Sequence, residues 1–135
     1  MPTIRLEKTY NVPKEAVWEH LVNDELLGKW CMPCTGFALE KGQKFEFNIP
    51  PNAFFSGVFN NTLTDFDEFS HLSYKCTSTK PKLDTTVKWV LSETGGKTTL
   101  TLEHGGFNPS QFMTKAMLKS GWKKMMNQHL EAELC

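Results

Sequence analysis

The spacing of apolar residues in this chain changes period once, at Asn108, and that change decides what the chain can fold into. From Gly36 to His104 apolar residues alternate with polar ones in short runs broken by turn residues, which is the pattern of strands buried on one face. From Asn108 to roughly Glu133 they recur at helical spacing instead. A meander of strands leaves one face to cover and a long amphipathic helix leaves one stripe to bury, so the economical solution lays the helix across the concave face of a strongly twisted antiparallel sheet.

The strands are legible one by one. In "FEFNI" Phe45, Phe47 and Ile49 share a face, in "LSYKC" Leu72, Tyr74 and Cys76 do, and in "TVKWVL" Val87, Trp89 and Leu91 do. Gly95-Gly96 between two such runs predicts a two-residue hairpin, whereas Pro50-Pro51 and Lys80-Pro81 predict looser connections. Phe54 to Phe66 carries apolar residues on both parities, which predicts a bulge or a strand covered on both sides. The meander amounts to about six strands. Thr3 to Val12 adds another, with Ile4, Leu6 and Tyr10 on one side. Two short helices then follow. The first is "PKEAVWEHLV", with Pro13 suited to its first position; the second is capped by Asn23 and ends near Trp30, because Pro33 disfavours helical geometry at Met32.

The long helix has a well-specified start, with Asn108 as cap, Pro109 at the first position and Gln111 as capping-box partner. On a helical wheel Met113, Met117, Leu118, Gly121, Trp122, Met125, His129 and Ala132 form one stripe, expected to face the sheet, while Lys115, Lys119 and Lys123 form a separate ladder.

The 135 residues suit a single domain, 1–135, large enough to fold around its own core. Fifteen basic and fifteen acidic residues cancel, so the long-range field that gathers nucleic acid or anionic lipid is missing, and neither partner is expected. The start "MPTIRLEKTY" is charged within five residues and lacks the apolar core of a signal peptide, and no window approaches a membrane span. A soluble cytoplasmic protein is expected, with its four cysteines reduced.

Taken together, "YNVPKEAVWEHLVNDELLGKW" at Tyr10 to Trp30, "LTLEHGGF" at Leu100 to Phe107 and Gly121-Trp122 resemble the SRPBCC superfamily. This is the START-like or birch-pollen-allergen-like helix-grip fold, and within it the chain resembles homologues of the heat-shock-protein-90 ATPase activator, over nearly its whole length. The resemblance implies an α+β helix-grip domain: a curved antiparallel sheet of about six to seven strands around a long C-terminal α-helix, with two short helices after strand 1. It also implies a cavity between sheet and helix, used across the superfamily for lipids, sterols, polyketides and other apolar or amphipathic molecules. In the best-known member an additional amino-terminal domain contacts the chaperone. This chain has no room for that domain, so chaperone activation is not carried over. Where the family commonly shows a second tryptophan followed by Gly-Pro, this sequence has Cys31-Met32-Pro33-Cys34, on the rim of the expected cavity.

That cysteine pair fits redox chemistry, metal binding or neither. It follows a helix, at the negative end of the dipole, where the thiol is favoured over the thiolate. Zinc would need four ligands, yet Cys76, Cys135, His20, His71, His104 and His129 are scattered singly, so no metal site is assigned. The ligand-binding candidates are Trp30, Phe37, Phe47, Tyr74, Trp89, His104, Met113, Met117 and Gly121, since adaptable methionines facing aromatics suit a pocket for apolar ligands. Each aromatic taken singly also fits an ordinary core position.

The reading these residues favour is a binding protein for a small apolar or amphipathic molecule, with no cofactor and no catalytic residue assigned. One alternative is a cyclase-, aromatase- or hydrolase-type enzyme in the same cavity, which needs a buried acid-base pair from His104 or His129 with Glu103 or Tyr74. The other is a protein-interaction module, such as a chaperone accessory, which needs an exposed apolar patch.

Overall fold

A computed structural model describes residues 3–51 and 56–134. Strand β1 (Thr3–Tyr10) leads into helices α1 (Lys14–Leu21) and α2 (Asp24–Trp30). Six further strands follow: β2 (Cys34–Thr35), β3 (Lys44–Asn48), β4 (Val58–Asp67), β5 (His71–Thr79), β6 (Lys82–Thr94) and β7 (Lys97–Gly105). A 3-10 turn (Pro109–Gln111) then opens a continuous helical stretch made of α3 (Phe112–Lys124), a π-helical segment (Met125–Leu130) and α4 (Glu131–Leu134).

The seven strands among the described residues form one curved antiparallel sheet in the order β1-β7-β6-β5-β4-β3-β2. Because β1 and β2 lie at opposite edges, α1 and α2 carry the chain from one edge of the sheet to the other. The side-chain alternation read from the sequence sets the inner face. Leu72, Tyr74 and Cys76 of β5 are buried, as are Val87, Trp89 and Leu91 of β6 and Leu100, Leu102 and His104 of β7. At the β6–β7 turn Thr94 pairs with Lys97, and Gly95 and Gly96 both take the positive φ that a type I′ turn requires, 58° and 78°. In β4 the register shifts between Leu63, opposite Tyr74, and Asp65, opposite Ser73, so Thr64 is the extra residue of a bulge. This reconciles the two parities: Phe59 and Leu63 point inward before the bulge, and Phe66 packs against the core after it. Phe54, where the sequence placed the start of this strand, lies outside the described residues.

Three local readings need correction. The loose connection expected at Lys80-Pro81 is a tight hairpin with a cis peptide bond, in which Thr79 pairs with Lys82. Pro13 is the cap residue of α1, in extended conformation at ψ 160°, with Lys14 as the first helical residue. The segment after Trp30, to which the sequence assigned no element, contains a two-residue strand, in which Cys34 pairs with Phe47.

The long helix starts as its sequence directs. The Asn108 side chain accepts from Ser110 N at 3.0 Å, and Asn108 N donates to Gln111 Oε1 at 3.1 Å. Its buried stripe, however, is Trp122, Met126 and Leu130, and His129 is exposed. In an α-helix residues four apart drift by about 40° per step. The π-helical segment bonds i to i+5 and holds more residues per turn, which keeps Trp122, Met126 and Leu130 on one line and turns His129 outward. Tyr10 donates its hydroxyl to the Met126 carbonyl at 2.7 Å, tying this segment to β1.

Candidate functional site

Upstream of Trp122 no residue of α3 is buried, so this half of the helix rides over the sheet instead of packing into it. Beneath it lies an apolar cavity of about 290 Å³. Its floor is formed by inward side chains of successive strands: Phe47 of β3, Phe59 of β4, Tyr74 and Cys76 of β5, Val87 of β6 and His104 of β7. Its roof is Met117, Leu118, Gly121, Trp122, Lys124 and Met125, and Met32 and Ile49 close one side. A Cβ built on Gly121 would meet nothing within 4 Å beyond its own helix, so the missing side chain leaves open space.

Of the residues nominated from sequence, Phe47, Tyr74, His104, Met117 and Gly121 border this cavity, and Trp30, Phe37, Trp89 and Met113 do not. Trp30 and Trp89 are ordinary core. Their rings meet edge to face at 5.8 Å, and Trp89 meets Trp122 likewise at 5.4 Å, a stack that forms one wall of the interior. The Trp30 indole donates to the His20 carbonyl at 2.8 Å. Phe37 packs against Phe45 at 4.9 Å. Met113 is 66% exposed because it precedes Trp122 by nine residues, two and a half turns, which is the opposite face of the helix.

The sequence reading missed Met32, Ile49, Phe59, Cys76, Val87, Leu118, Trp122, Lys124 and Met125. Some signal was present, because Cys76, Val87 and Phe59 share parity with inward neighbours. Alternation identifies an inward residue, however, and not whether the helix covers it.

The polar groups at the floor form a closed chain. Trp122 Nε1 is a donor only, so at 3.1 Å His104 Nδ1 must accept from it. That fixes the proton on Nε2, which donates to Thr85 Oγ1 at 2.8 Å, and Thr85 in turn donates to the Cys76 carbonyl at 2.9 Å. Burial lowers the His104 pKa to about 4, so the ring is neutral at ordinary pH. The acid-base pairs an enzyme would need from these residues do not assemble. Glu103 points to the other side of β7 from His104, His129 is exposed, and the Tyr74 hydroxyl is partnered with Trp89 Nε1 at 3.1 Å.

Cys31, Cys34 and Cys76 are free thiols. Burial pushes Cys31 strongly up and takes both Cys34 and Cys76 to about 12, so desolvation, more than the helix dipole invoked from sequence, keeps them protonated. Among the described residues no three His, Cys, Asp or Glu side chains come together as a metal site would require, and Cys135 lies outside them. No helix among the described residues is long and apolar enough to cross a membrane.

A curved antiparallel sheet gripping a C-terminal helix across an apolar cavity defines a helix-grip domain of the SRPBCC, START-like class. The sequence matches the family described as activator of Hsp90 ATPase homolog 1-like protein over residues 11–134, and the chain belongs to that family. No curated protein matches the sequence.

Solved structures show the same fold. A Mesorhizobium loti protein is 24% identical with a TM-score of 0.85, the match covering 93% of this chain and 92% of that one. The Aha1 dimer from Colwellia psychrerythraea is 14% identical with a TM-score of 0.81, covering 99% and 96%. A protein in the dynemicin biosynthetic locus is 20% identical with a TM-score of 0.79; the match covers 98% of this chain but 46% of that one, so this chain spans about half its length. At these identities the likeness is one of fold.

Proposed function

We propose that this protein binds a small apolar or amphipathic molecule in the cavity between the sheet and α3, without a cofactor. The observation that carries the reading is the open space at Gly121. A glycine inside a helix costs about 1 kcal/mol relative to alanine, and here no close helix-sheet contact explains its presence. The cavity lies at the low end of the roughly 300–1,000 Å³ range of small-molecule pockets, so the ligand is small. The likeness to a protein in the dynemicin biosynthetic locus is compatible with a small organic ligand. The free thiols suit a reducing compartment, and we place the protein in the cytoplasm.

Native mass spectrometry of the freshly purified protein tests the reading directly, with the neutral fluorescent probe N-phenylnaphthylamine as a second assay. A co-purified small molecule, or saturable probe binding that Gly121→Leu weakens, is the expected result. An unliganded protein that binds no probe would overturn it.

One observation favours a second reading, docking to another protein such as a chaperone: Phe112 is 71%, Met113 66% and Met117 40% exposed, an apolar group on the outer part of α3. The likeness to the Aha1 dimer fits it too. A coupled ATPase assay with the chaperone of the same organism discriminates the two. A several-fold saturable stimulation, lost in Phe112→Ser/Met113→Ser, would make docking the leading function.

A further inference from the structure

The outer face of α3 carries more than the apolar group noted above. At about 100° per residue, every exposed residue from Phe112 to Lys124 falls within one arc of about 160°, centred away from the buried Trp122. Within that arc the side chains are segregated along the helix. Phe112, Met113 and Met117, at 71%, 66% and 40% exposure, occupy its first turns, with Met113 and Met117 one turn apart. Lys119, Lys123 and Lys124 follow, all exposed, and no salt bridge joins any of them to a carboxylate among the described residues. Residues 109–130 contain no aspartate or glutamate. Strand β6 meets the helix start where Gln111 Nε2 donates to the Lys82 carbonyl, and its Asp84 is already paired with Lys75 at 2.8 Å. The face is therefore apolar at its leading end and cationic behind. Met117 also belongs to the cavity roof, so the apolar surface runs through this one side chain from the outside of the helix to the cavity beneath it.

We infer that the outer face of α3 docks onto an anionic lipid surface, with Phe112 and Met113 entering the boundary between headgroups and acyl chains and the three lysines resting against the lipid phosphates. Lys119 lies about 10 Å along the axis from Phe112, so a helix tilted with its first turn downward places the two kinds of side chain at those two depths. A convex helix face suits a surface that is fluid and needs no matching shape. A lipid surface is also where an apolar ligand partitions, and Met117 gives such a ligand a path into the cavity that avoids water. That path rests on the cavity reading above; the docking does not. The zero net charge that argued against anionic lipid is a sum over the whole chain. Exposed charges act over about 10 Å at ordinary ionic strength, so a membrane in contact with α3 meets its lysines and not the sum.

Flotation of the intact chain with vesicles of phosphatidylcholine and phosphatidylglycerol, compared with vesicles of phosphatidylcholine alone, tests the inference. The protein should float with the anionic vesicles and bind the neutral ones at least about tenfold more weakly. Lys119→Gln/Lys123→Gln should weaken anionic binding by about 25-fold, at about fivefold per lysine. Raising the salt from 0.1 M to 1 M, which shortens the screening length from about 10 to about 3 Å, should also weaken it by about tenfold or more. Phe112→Ser should cost about tenfold or more, the range for burying an aromatic side chain. None of these three residues is buried or borders the cavity, so melting temperature and N-phenylnaphthylamine binding without vesicles should match the wild type. No flotation, equal flotation with neutral vesicles, or binding indifferent to these substitutions would overturn the inference. So would chaperone ATPase stimulation that depends on Phe112 in a protein that binds no vesicles, which would assign the face to a protein partner. If the vesicles bind as expected but the protein alone takes up no N-phenylnaphthylamine, the docking stands and the cavity reading falls.

Discussion

Enlarging Gly121 measures the cavity from inside. A Cβ at this position meets nothing within 4 Å, so Gly121→Ala introduces no clash and should gain about 0.5–1 kcal/mol from reduced freedom of the unfolded chain and better helix propensity. Gly121→Leu keeps that gain and adds three carbons above the floor. At about 0.8 kcal/mol per fully buried carbon, halved because the position is only half-buried, they contribute about 1 kcal/mol more. Alanine should therefore raise the melting temperature by about 2–4 °C and leucine by about 6–8 °C, taking roughly 4 °C per kcal/mol for a chain of this size. Differential scanning calorimetry supplies the melting temperatures, and titration with N-phenylnaphthylamine supplies the affinity. Leucine should weaken the probe by tenfold or more, as a rough expectation for a filled site, while alanine leaves most of the binding. A leucine variant that melts below the parent by the equivalent of about 1–3 kcal/mol would mean that the space does not exist. A stabilised leucine variant with unchanged affinity would mean that the probe binds elsewhere.

His104 makes stability pH-dependent. Its folded pKa of about 4 lies below the unfolded value near 6.5, so the neutral ring's contribution is complete above pH 6.5 and declines as pH falls toward 4, by an amount on the order of 3 kcal/mol. Denaturant titrations at several pH values should show that slope, and His104→Gln should flatten it. Tyr10→Phe should cost about 1–2 kcal/mol in urea denaturation, because it strands the Met126 carbonyl in the π-helical segment; no loss would mean that this carbonyl is satisfied without it. With Cys34 near 12 and Cys31 also raised, iodoacetamide at pH 8 should label Cys31 and Cys34 of the native protein much more slowly than the same residues of the urea-unfolded chain, read by peptide mass spectrometry, and comparable rates would refute the burial argument. The variant Cys31→Ser/Cys34→Ser should still fold cooperatively.

What the sequence made legible was whatever rests on local chemistry. Alternation located β5, β6 and β7, paired glycines closed the β6–β7 turn, and Asn108 with Gln111 marked where the last helix begins. The two-residue strand at Cys34 escaped because its only signal is a partner strand across the loop to β3, where Cys34 meets Phe47 and Thr35 meets Glu46. The π-helical segment escaped because no residue type announces it. Its length follows from what Trp122, Met126 and Leu130 must reach together, and with it went the assignment of His129. The cavity was half legible for a related reason. Inward parity picked out Phe47, Tyr74 and Trp89 alike, but only packing decides that Trp30 and Trp122 cover Trp89 while Phe47 and Tyr74 stay open.

The π-helical segment divides the last helix into parts under different selective demands. From Met125 onward the helix is bolted to the sheet by Met126 and Leu130, and a change there is felt throughout the fold. From Phe112 to Gly121 no residue is buried and only Leu118 packs partly against the core, so the other side chains can be exchanged at little risk to folding. A lineage descending from such a chain could explore new ligands by altering the unanchored turns one residue at a time while the rest of the molecule stays stable. The same boundary tells an engineer where to randomise: upstream of Trp122, and not beyond it.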